Sequence, residues 1–237
     1  MPKSVVENIS SKEINKWSAV LDSTPTNIFN FARKAIQSQL PTNTNLVKWK
    51  RTQDPNCPLC NKPQTNKHVL SNCSSAIALE RYTKRHNKVL EILINWIGSV
   101  LDSSFILYAD LVHPKAKPVI DIFNSIRPDI AVKINNQIHT LELTVCHETN
   151  LVNSRIYKVN KYSHADKCKN SIISDCTVST HTLEVTVMGF VSDITKFTNA
   201  CRLPNIPDEI NKLLVYSVLY SSFDIYSMRS TSQSVSQ

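Results

Sequence analysis

Glycine is almost absent from this sequence, since only two of its 237 residues are glycine. A chain of average composition and this length would contain about 17. Gly98 and Gly189 lie far apart, whereas dinucleotide-binding loops and phosphate-binding P-loops need several glycines within a few residues. The Gly-x-Ser-x-Gly elbow of hydrolases is excluded for the same reason. The common glycine-dependent nucleotide and hydrolase sites are therefore ruled out.

Long apolar runs are also missing from the sequence. No stretch approaches the roughly 20 apolar residues of a membrane-spanning helix, and the polar, acid-containing start does not resemble a secretory signal. We therefore expect an intracellular protein that does not associate with membranes. In a reducing compartment, the seven unevenly spaced cysteines are expected to be thiols or metal ligands rather than disulfides. The length fits one full domain with a smaller module.

Positive charge is concentrated in the first part of the chain. The net charge is +8, and the first 88 residues, with 14 basic and 5 acidic side chains, carry +9. A basic arm on a near-neutral body indicates a polyanionic partner, most often nucleic acid, although a solvated basic surface is the alternative. Within this arm Lys48, Lys50 and Arg51 surround Trp49, which either stacks on a base or closes a small core.

The spacing of apolar residues predicts helices and strands in alternation. Two short helices are expected within residues 12–38, and the longest helix over residues 78–101. The remaining expected segments are β-rich stretches at 128–134 and 138–145, a helix over 151–171, a buried strand over 182–192, a final helix over 207–220 and a disordered Ser/Gln-rich tail over 227–237.

Four potential zinc ligands lie within 17 residues of one another: Cys57, Cys60, His68 and Cys73. A Cys-x2-Cys turn presents two thiolates to one tetrahedral ion, and a His and a Cys five residues apart can complete the site. A reactive dithiol is the alternative, but such a pair opens a helix after a strand, and here Asp54-Pro55-Asn56 precedes it. The spacing predicts a structural Zn²⁺ site that supplies folding energy to a small module.

Two carboxylates are expected to meet on a β-hairpin. A type I′ turn at Asn135-Asn136 would place Asp129 directly opposite Glu142 on one side of the ribbon. Like charges in this position need a shared proton or a cation, and hard oxygen ligands suit Mg²⁺ or Mn²⁺. The alternative is that Asp129 caps a turn and Glu142 is a solvated strand residue.

The segment that follows the hairpin is basic. On a helix, Arg155, Lys158 and Tyr162 would share one face, with Lys161 one turn beyond. Cations beside a carboxylate–metal pair can orient an attacking water or stabilise a phosphate that is gaining charge. A solvated basic helix is the plain alternative.

Four motifs in this order resemble the C-terminal region of non-LTR retrotransposon polyproteins that carry a restriction-like endonuclease. They are the Cys/His motif, Arg85-His86-Asn87, Arg127-Pro128-Asp129-x12-Glu142 and Arg155-x2-Lys158-x2-Lys161-Tyr162, and the likeness covers about residues 40–200. That nuclease is similar to the PD-(D/E)xK fold. The resemblance implies an α/β restriction-endonuclease-like core with a central mixed sheet and flanking helices, after a helical linker and a zinc module.

The resemblance also implies roles for individual residues. Asp129 and Glu142 would be metal-binding catalytic acids, and Lys158 or Lys161, near Tyr162, would be the basic member. Where PD-(D/E)xK enzymes usually have Lys two residues after the second acid, this chain has Thr144. On its apolar helix face His86 could equally be a core histidine, and Glu91 could be an extra acid. The expected nucleic-acid contacts are Lys48, Lys50, Arg51, Arg85, His86 and Arg155.

The sequence thus predicts a DNA endonuclease that nicks a target for retrotransposon integration by target-primed reverse transcription. Zn²⁺ would be structural and Mg²⁺ or Mn²⁺ catalytic. Target DNA, element RNA and the reverse-transcriptase portion of a parent polyprotein would be its partners, in the nucleus. No reverse-transcriptase segment fits in residues 1–52, so we expect a polyprotein fragment or remnant.

The alternatives are an inactive nucleic-acid-binding module and a zinc-stabilised scaffold. The expected parts are a helical basic linker at 1–52, a zinc knuckle at 53–77, a nuclease core at 78–203 and a C-terminal helix with tail at 204–237.

Overall fold

The computed structural model describes residues 2–229, which form eight α-helices and five β-strands. None of these helices is long and apolar enough to cross a membrane. The helices are α1 (Lys3–Asn8), α2 (Ser11–Asp22), α3 (Thr26–Ile36), α4 (Asn43–Lys48), α5 (Ala76–Val100), α6 (Leu151–Lys161), α7 (Thr195–Ala200) and α8 (Asp208–Ser227).

One mixed sheet, with the strand order β2-β1-β3-β4-β5, lies at the centre of the fold. The outer pairs β1–β2 and β4–β5 are parallel, and β1–β3 and β3–β4 are antiparallel. The expected α/β class with a central mixed sheet and flanking helices is therefore confirmed. The strands are β1 (Ile106–Ala109), β2 (Lys117–Pro118), β3 (Ile130–Ile134), β4 (Gln137–Cys146) and β5 (Thr177–Thr186).

Buried side chains lie on both faces of the sheet because strand residues alternate in direction. Val132, Leu141 and Leu143 join the larger apolar cluster, which extends to helices α1, α2, α3, α5 and α8. Ala131 and Ile138 face the other way, into a smaller cluster that includes Tyr162 just after α6. Since the larger cluster contains residues from α1 to α8, the first and last helices share a core with the sheet.

The structure corrects several sequence expectations. The strand expected over residues 182–192 instead spans Thr177–Thr186 as β5. It ends there because Gly189, at φ +85°, turns the chain back and Phe190 forms hydrogen bonds with Thr186. The helix expected over 151–171 ends at Lys161, and the final helix extends beyond residue 220 to Ser227. Strand β1 lay in a segment where no strand was predicted. Of the tail expected to be disordered, residues 230–237 lie outside the described residues.

Three helices end at a residue in the left-handed conformation that usually belongs to glycine. Ser38, Lys50 and Arg202 have φ values of 55°, 58° and 54° after α3, α4 and α7. At the end of α4 the N–H of Lys50 donates to the carbonyl of Val47 at 2.9 Å, and that of Arg51 donates to Leu46 at 2.8 Å. These two bonds define a Schellman motif. Because the chain has little glycine, larger side chains take these positions at a cost of about 1 kcal/mol each.

Candidate functional site

The four expected zinc ligands converge in space. Their ligand atoms all lie within 4.8 Å of one another. The Sγ of Cys73 is 4.0 Å from that of Cys57 and 3.7 Å from that of Cys60, and Nε2 of His68 is 3.2 Å from Cys60 Sγ. A tetrahedral ion with Zn–S bonds of about 2.3 Å requires sulfur atoms about 3.8 Å apart. The cluster therefore has the dimensions and the donor set of a structural zinc site.

Local backbone bonds build the first half of this cluster. The N–H of Cys57 donates to the carbonyl of Lys62 at 2.8 Å, and the N–H of Asn61 donates back to Cys57 at 2.9 Å. Asn61 takes a positive φ of 57°, which closes the turn after Cys60. The two cysteines of the Cys-x2-Cys segment thereby point to one side of a tight turn.

The second half of the cluster is fixed by the start of α5. His68 opens a single π-helical turn, and Cys73 follows it. The hydroxyl of Tyr82 donates to the carbonyls of His68 and Val69 and accepts from the N–H of Cys73. Ser75, which caps α5, places its Oγ 3.3 Å from Cys73 Sγ. These outer contacts hold the two ligands in position, as second partners commonly do around metals.

The thiol of Cys57 resists ionisation in the absence of a cation. Burial, together with the neighbouring Cys73 and Cys60, raises the pKa of Cys57 to about 11, against the backbone hydrogen bond from Leu59. A bound Zn²⁺ reverses this balance, because thiols that coordinate it are deprotonated.

The expected pairing of Asp129 with Glu142 is also present. Ile130 lies opposite Leu141 and Ile134 opposite Gln137, which is the register that a two-residue turn at Asn135-Asn136 requires. Of the two Asn residues, Asn135 alone has a positive φ, so the expected type I′ geometry is wrong. Glu142 points away from its neighbours in the larger cluster, toward the face covered by α6.

Lys158 joins the two carboxylates from α6. Its Nζ lies 3.0 Å from Glu142 Oε2 and 3.3 Å from Asp129 Oδ2. Lys161, the other sequence candidate, is exposed, and its ammonium lies 4.9 Å from the centroid of the Tyr162 ring. The geometry therefore brings Lys158, and not Lys161, to the acid pair.

Asp129 is held by three groups. Besides Lys158, the backbone N–H of Leu143 donates to its Oδ2 at 2.7 Å, and Nε2 of His86 lies 3.6 Å from its Oδ1. Burial works to raise the pKa of Asp129, but His86 and Lys158 outweigh it, so this pKa lies below its ordinary value. Asp129 therefore stays ionised, and His86 belongs to this cluster rather than to an apolar core.

Glu142 has the opposite character. Its side chain is fully buried, and burial together with the charge of Asp129 raises its pKa to about 7, against the attraction of Lys158. Its Oε1 has no hydrogen-bond partner among the described residues. This one oxygen of Glu142 is therefore available as a ligand, and carboxylate oxygens suit Mg²⁺ or Mn²⁺, which keep several waters. The chemical type of these two donors, Asp129 and Glu142, is the one that such a cation prefers, although Lys158 Nζ contacts both of them.

Tyr162 closes the site below Lys158. Its ring is buried, and its hydroxyl donates to the carbonyl of Arg127 at 2.9 Å. Burial, together with Glu142 and Asp129, raises the pKa of Tyr162 far above its ordinary value. The phenol therefore remains neutral. Its ring lies beside Lys158, whose Nζ is 5.9 Å from the ring centroid, and its hydroxyl is a hydrogen-bond donor.

The expected nucleic-acid contacts are dispersed. Lys48, the last residue of α4, and Lys50 and Arg51 just after it are exposed. The guanidinium of Arg155 bonds Oε2 of Glu184 through Nε at 3.0 Å and Nη2 at 2.8 Å, and its side chain is 40% exposed. These four side chains lie where an external polyanion can approach at least part of the charged group.

Arg85 does not suit the nucleic-acid contact expected for it. It is 1% exposed, and its Nη1 donates to Ser222 at 3.0 Å. Such contacts need an accessible cation, so the position of Arg85 gives this expectation no support. Glu91, considered as an extra acid, is exposed and lines a cleft with Lys84 and Lys88 rather than bonding the carboxylate pair.

Two side chains near the site were missed by sequence reasoning. Glu184 is 1% exposed and fixes Arg155. A charge in the apolar run Leu183-Glu184-Val185 was the available signal for this residue. Asp110 donates its backbone N–H to the carbonyl of Asp129 at 3.1 Å, and burial raises the pKa of its carboxyl. Asp110 follows β1, which was itself not predicted.

Comparison with known proteins bears on the first part of the chain. Residues 4–79 match the model of a family described as zinc-binding in reverse transcriptase. This segment covers about a third of the chain and contains all four ligands of the Cys/His cluster. A comparison with curated proteins finds no match. The family match and the cluster geometry together support zinc binding and an association with reverse transcriptase, and the matched segment ends before the carboxylate pair.

Proposed function

We propose that this protein is a retrotransposon-derived endonuclease that nicks DNA with a divalent cation held by Asp129 and Glu142. The observation that carries the proposal is that Lys158 Nζ, from α6, lies within 3.3 Å of both Asp129, just before β3, and Glu142, on β4. Acids with perturbed pKa values beside a cation are typical of reactive sites rather than of an ordinary solvated surface.

Each residue has a distinct task in this proposal. Asp129, ionised and fixed by Leu143 and His86, is a permanent anionic ligand. Glu142 offers its unpartnered Oε1 from a buried position. When bound, the cation polarises the scissile phosphate and lowers the pKa of a water. Lys158 stabilises the negative charge that grows on the phosphate oxygens.

The zinc module and the basic arm would hold the nucleic acid. Exposed Lys48, Lys50 and Arg51 lie at the end of α4, directly before the zinc module. Phosphate contacts of this kind weaken steeply with salt. In a retrotransposon, the nick would expose the 3′ hydroxyl that primes reverse transcription, with the cut made in nuclear DNA and element RNA nearby.

A second candidate is a nucleic-acid-binding protein whose nuclease fold is inactive. It is favoured by the position of Lys158, whose ammonium already pairs with both acids. The three side chains would then form a structural ion network. In that case DNA or RNA is retained in a gel shift, with no cleavage under any divalent ion.

Nicking of supercoiled plasmid tests the proposal. The wild-type chain should convert supercoiled to open-circular DNA with Mg²⁺ or Mn²⁺, and Asp129→Asn and Glu142→Gln should each lower the rate by at least about 100-fold. Glu209→Gln is the matched control, because this exposed acid lies in the first turn of α8 and not in the acid pair. Absence of nicking by the wild type, or equal rates in all variants, rejects the catalytic assignment.

A further inference from the structure

The end of α4 presents an aromatic side chain at the surface. Trp49 is the C-cap residue, and the Schellman bonds from Lys50 and Arg51 fix the backbone on its C-terminal side. Because these backbone hydrogen bonds close the turn, the indole is attached to an ordered backbone.

Trp49 differs from the two other tryptophans. Trp17 and Trp96 are 6% and 3% exposed, and Trp17 donates to the carbonyl of Met188, whereas Trp49 is 40% exposed. Within residues 2–229 the indole N–H of Trp49 has no hydrogen-bond partner, and its polar contact is Arg51, whose guanidinium carbon lies 5.9 Å from the ring centroid. Trp49 therefore does not close a core, and part of its side chain is open to a ligand.

Three cations without an acidic partner adjoin Trp49 in the sequence. Lys48, Lys50 and Arg51 are exposed, and none forms an ion pair with an acid in the described part of the chain. Lys50 keeps a charged side chain in a backbone conformation, φ 58°, that favours glycine. An exposed aromatic side chain among neighbouring cations suits a base next to its phosphates.

We propose that Trp49 stacks on an unpaired base of single-stranded nucleic acid while Lys48, Lys50 and Arg51 contact the adjoining phosphates. A duplex hides its base faces in the stack, so this site selects single strands, whereas phosphate contacts alone do not. The proposal rests on the proposed function only in taking nucleic acid as the ligand. It does not require cleavage.

Tryptophan fluorescence reads this site directly, because Trp49 is the exposed indole. Oligo(dT) and oligo(U) of about 12 nucleotides, and a duplex of the same length, are titrated without chelator and without Mg²⁺. We expect quenching by the single strands, and the tighter of the two identifies DNA or RNA as the source of the ligand. Unchanged emission at saturation, or equal quenching and affinity with the duplex, overturns the proposal.

Variants separate stacking from simple charge. Trp49→Ala should weaken single-strand binding about 5- to 150-fold, Trp49→Phe less, and Tyr220→Ala, an equally exposed aromatic on α8, not at all. Replacing Lys48, Lys50 and Arg51 with Gln should reduce the slope of log affinity against log salt by up to about 2, unlike the same change at exposed Lys12, Lys117 and Lys212. Wild-type affinity in Trp49→Ala overturns the proposal.

Two readouts distinguish this proposal from the nuclease. Zinc content and circular dichroism establish that each variant is folded. Plasmid nicking by the same variants then separates the outcomes: quenching without nicking removes the cleavage proposal alone, and nicking without quenching removes the Trp49 site alone.

Discussion

Replacing Lys158 with Met is the sharpest test of how the acid pair is held. At 3.0 Å and 3.3 Å, and with an effective dielectric constant of about 20, each Lys158–carboxylate attraction is worth about 5 kcal/mol before the cost of burial. Burying the three charges offsets much of this attraction. Removing the ammonium alone leaves that cost in place, and breaking a buried pair typically loses about 3 to 5 kcal/mol.

We expect Lys158→Met to lower the free energy of unfolding by about 3 kcal/mol at neutral pH, toward the low end because Glu142 can take up a proton. Urea unfolding followed by circular dichroism, without added Mg²⁺, measures it. Glu142→Gln in the Lys158→Met background should recover the part of the loss that comes from ionised Glu142, because that charge then has no partner. Lys161→Met, on the exposed side of α6, should stay within about 0.5 kcal/mol of wild type. A Lys158→Met variant as stable as Lys161→Met refutes this reasoning.

Two further predictions concern the zinc cluster and pH. Cys60→Ser, or removal of Zn²⁺ by a chelator, should lower the melting temperature and increase hydrogen exchange at the start of α5. The exchange is followed at Tyr82, because its hydroxyl bonds the segment that carries the ligands. An unchanged melting temperature would contradict a structural zinc site. The pKa of Glu142 is raised from 4.5 to about 7 on folding, so the folded state binds the extra proton and Glu142 contributes stability below about pH 4.5 that is lost as the pH rises to about 7. The stability of wild type relative to Glu142→Gln should therefore fall across this window, and a pH-independent difference would contradict the assignment. Glu142→Gln is the reference because burial lowers the pKa of His147 to about 4, and the titration of His147 changes stability in the opposite direction.

The zinc ligands could be predicted from the sequence because the chemistry is local. Cys57, Cys60, His68 and Cys73 lie within one short segment, so spacing alone indicates a shared ion. The pairing of Asp129 and Glu142 was also accessible, because a two-residue turn fixes the register of every opposed pair in a hairpin. The match of residues 4–79 with the reverse-transcriptase zinc family agrees with the first of these predictions.

The remaining features depend on packing between distant elements. Lys158 and Lys161 are both basic and three residues apart, and only the docking of α6 on β4 and β5 decides which ammonium reaches the acids. Likewise, Arg85 and His86 are neighbours on α5, yet one bonds Ser222 in the interior and the other approaches Asp129. Strand β1 is too short, at four residues, to produce a periodic signal of its own.

The central claim is that Asp129, Glu142 and Lys158 form one phosphodiester-cleaving site. The most direct measurement is the initial rate of plasmid nicking with Mg²⁺ by wild type, Lys158→Met and Lys161→Met, at a temperature where circular dichroism finds all three folded. The account predicts a rate at least about 100-fold lower in Lys158→Met and close to wild type in Lys161→Met. Equal rates in the two variants, or no cation-dependent nicking by the wild type, would contradict it.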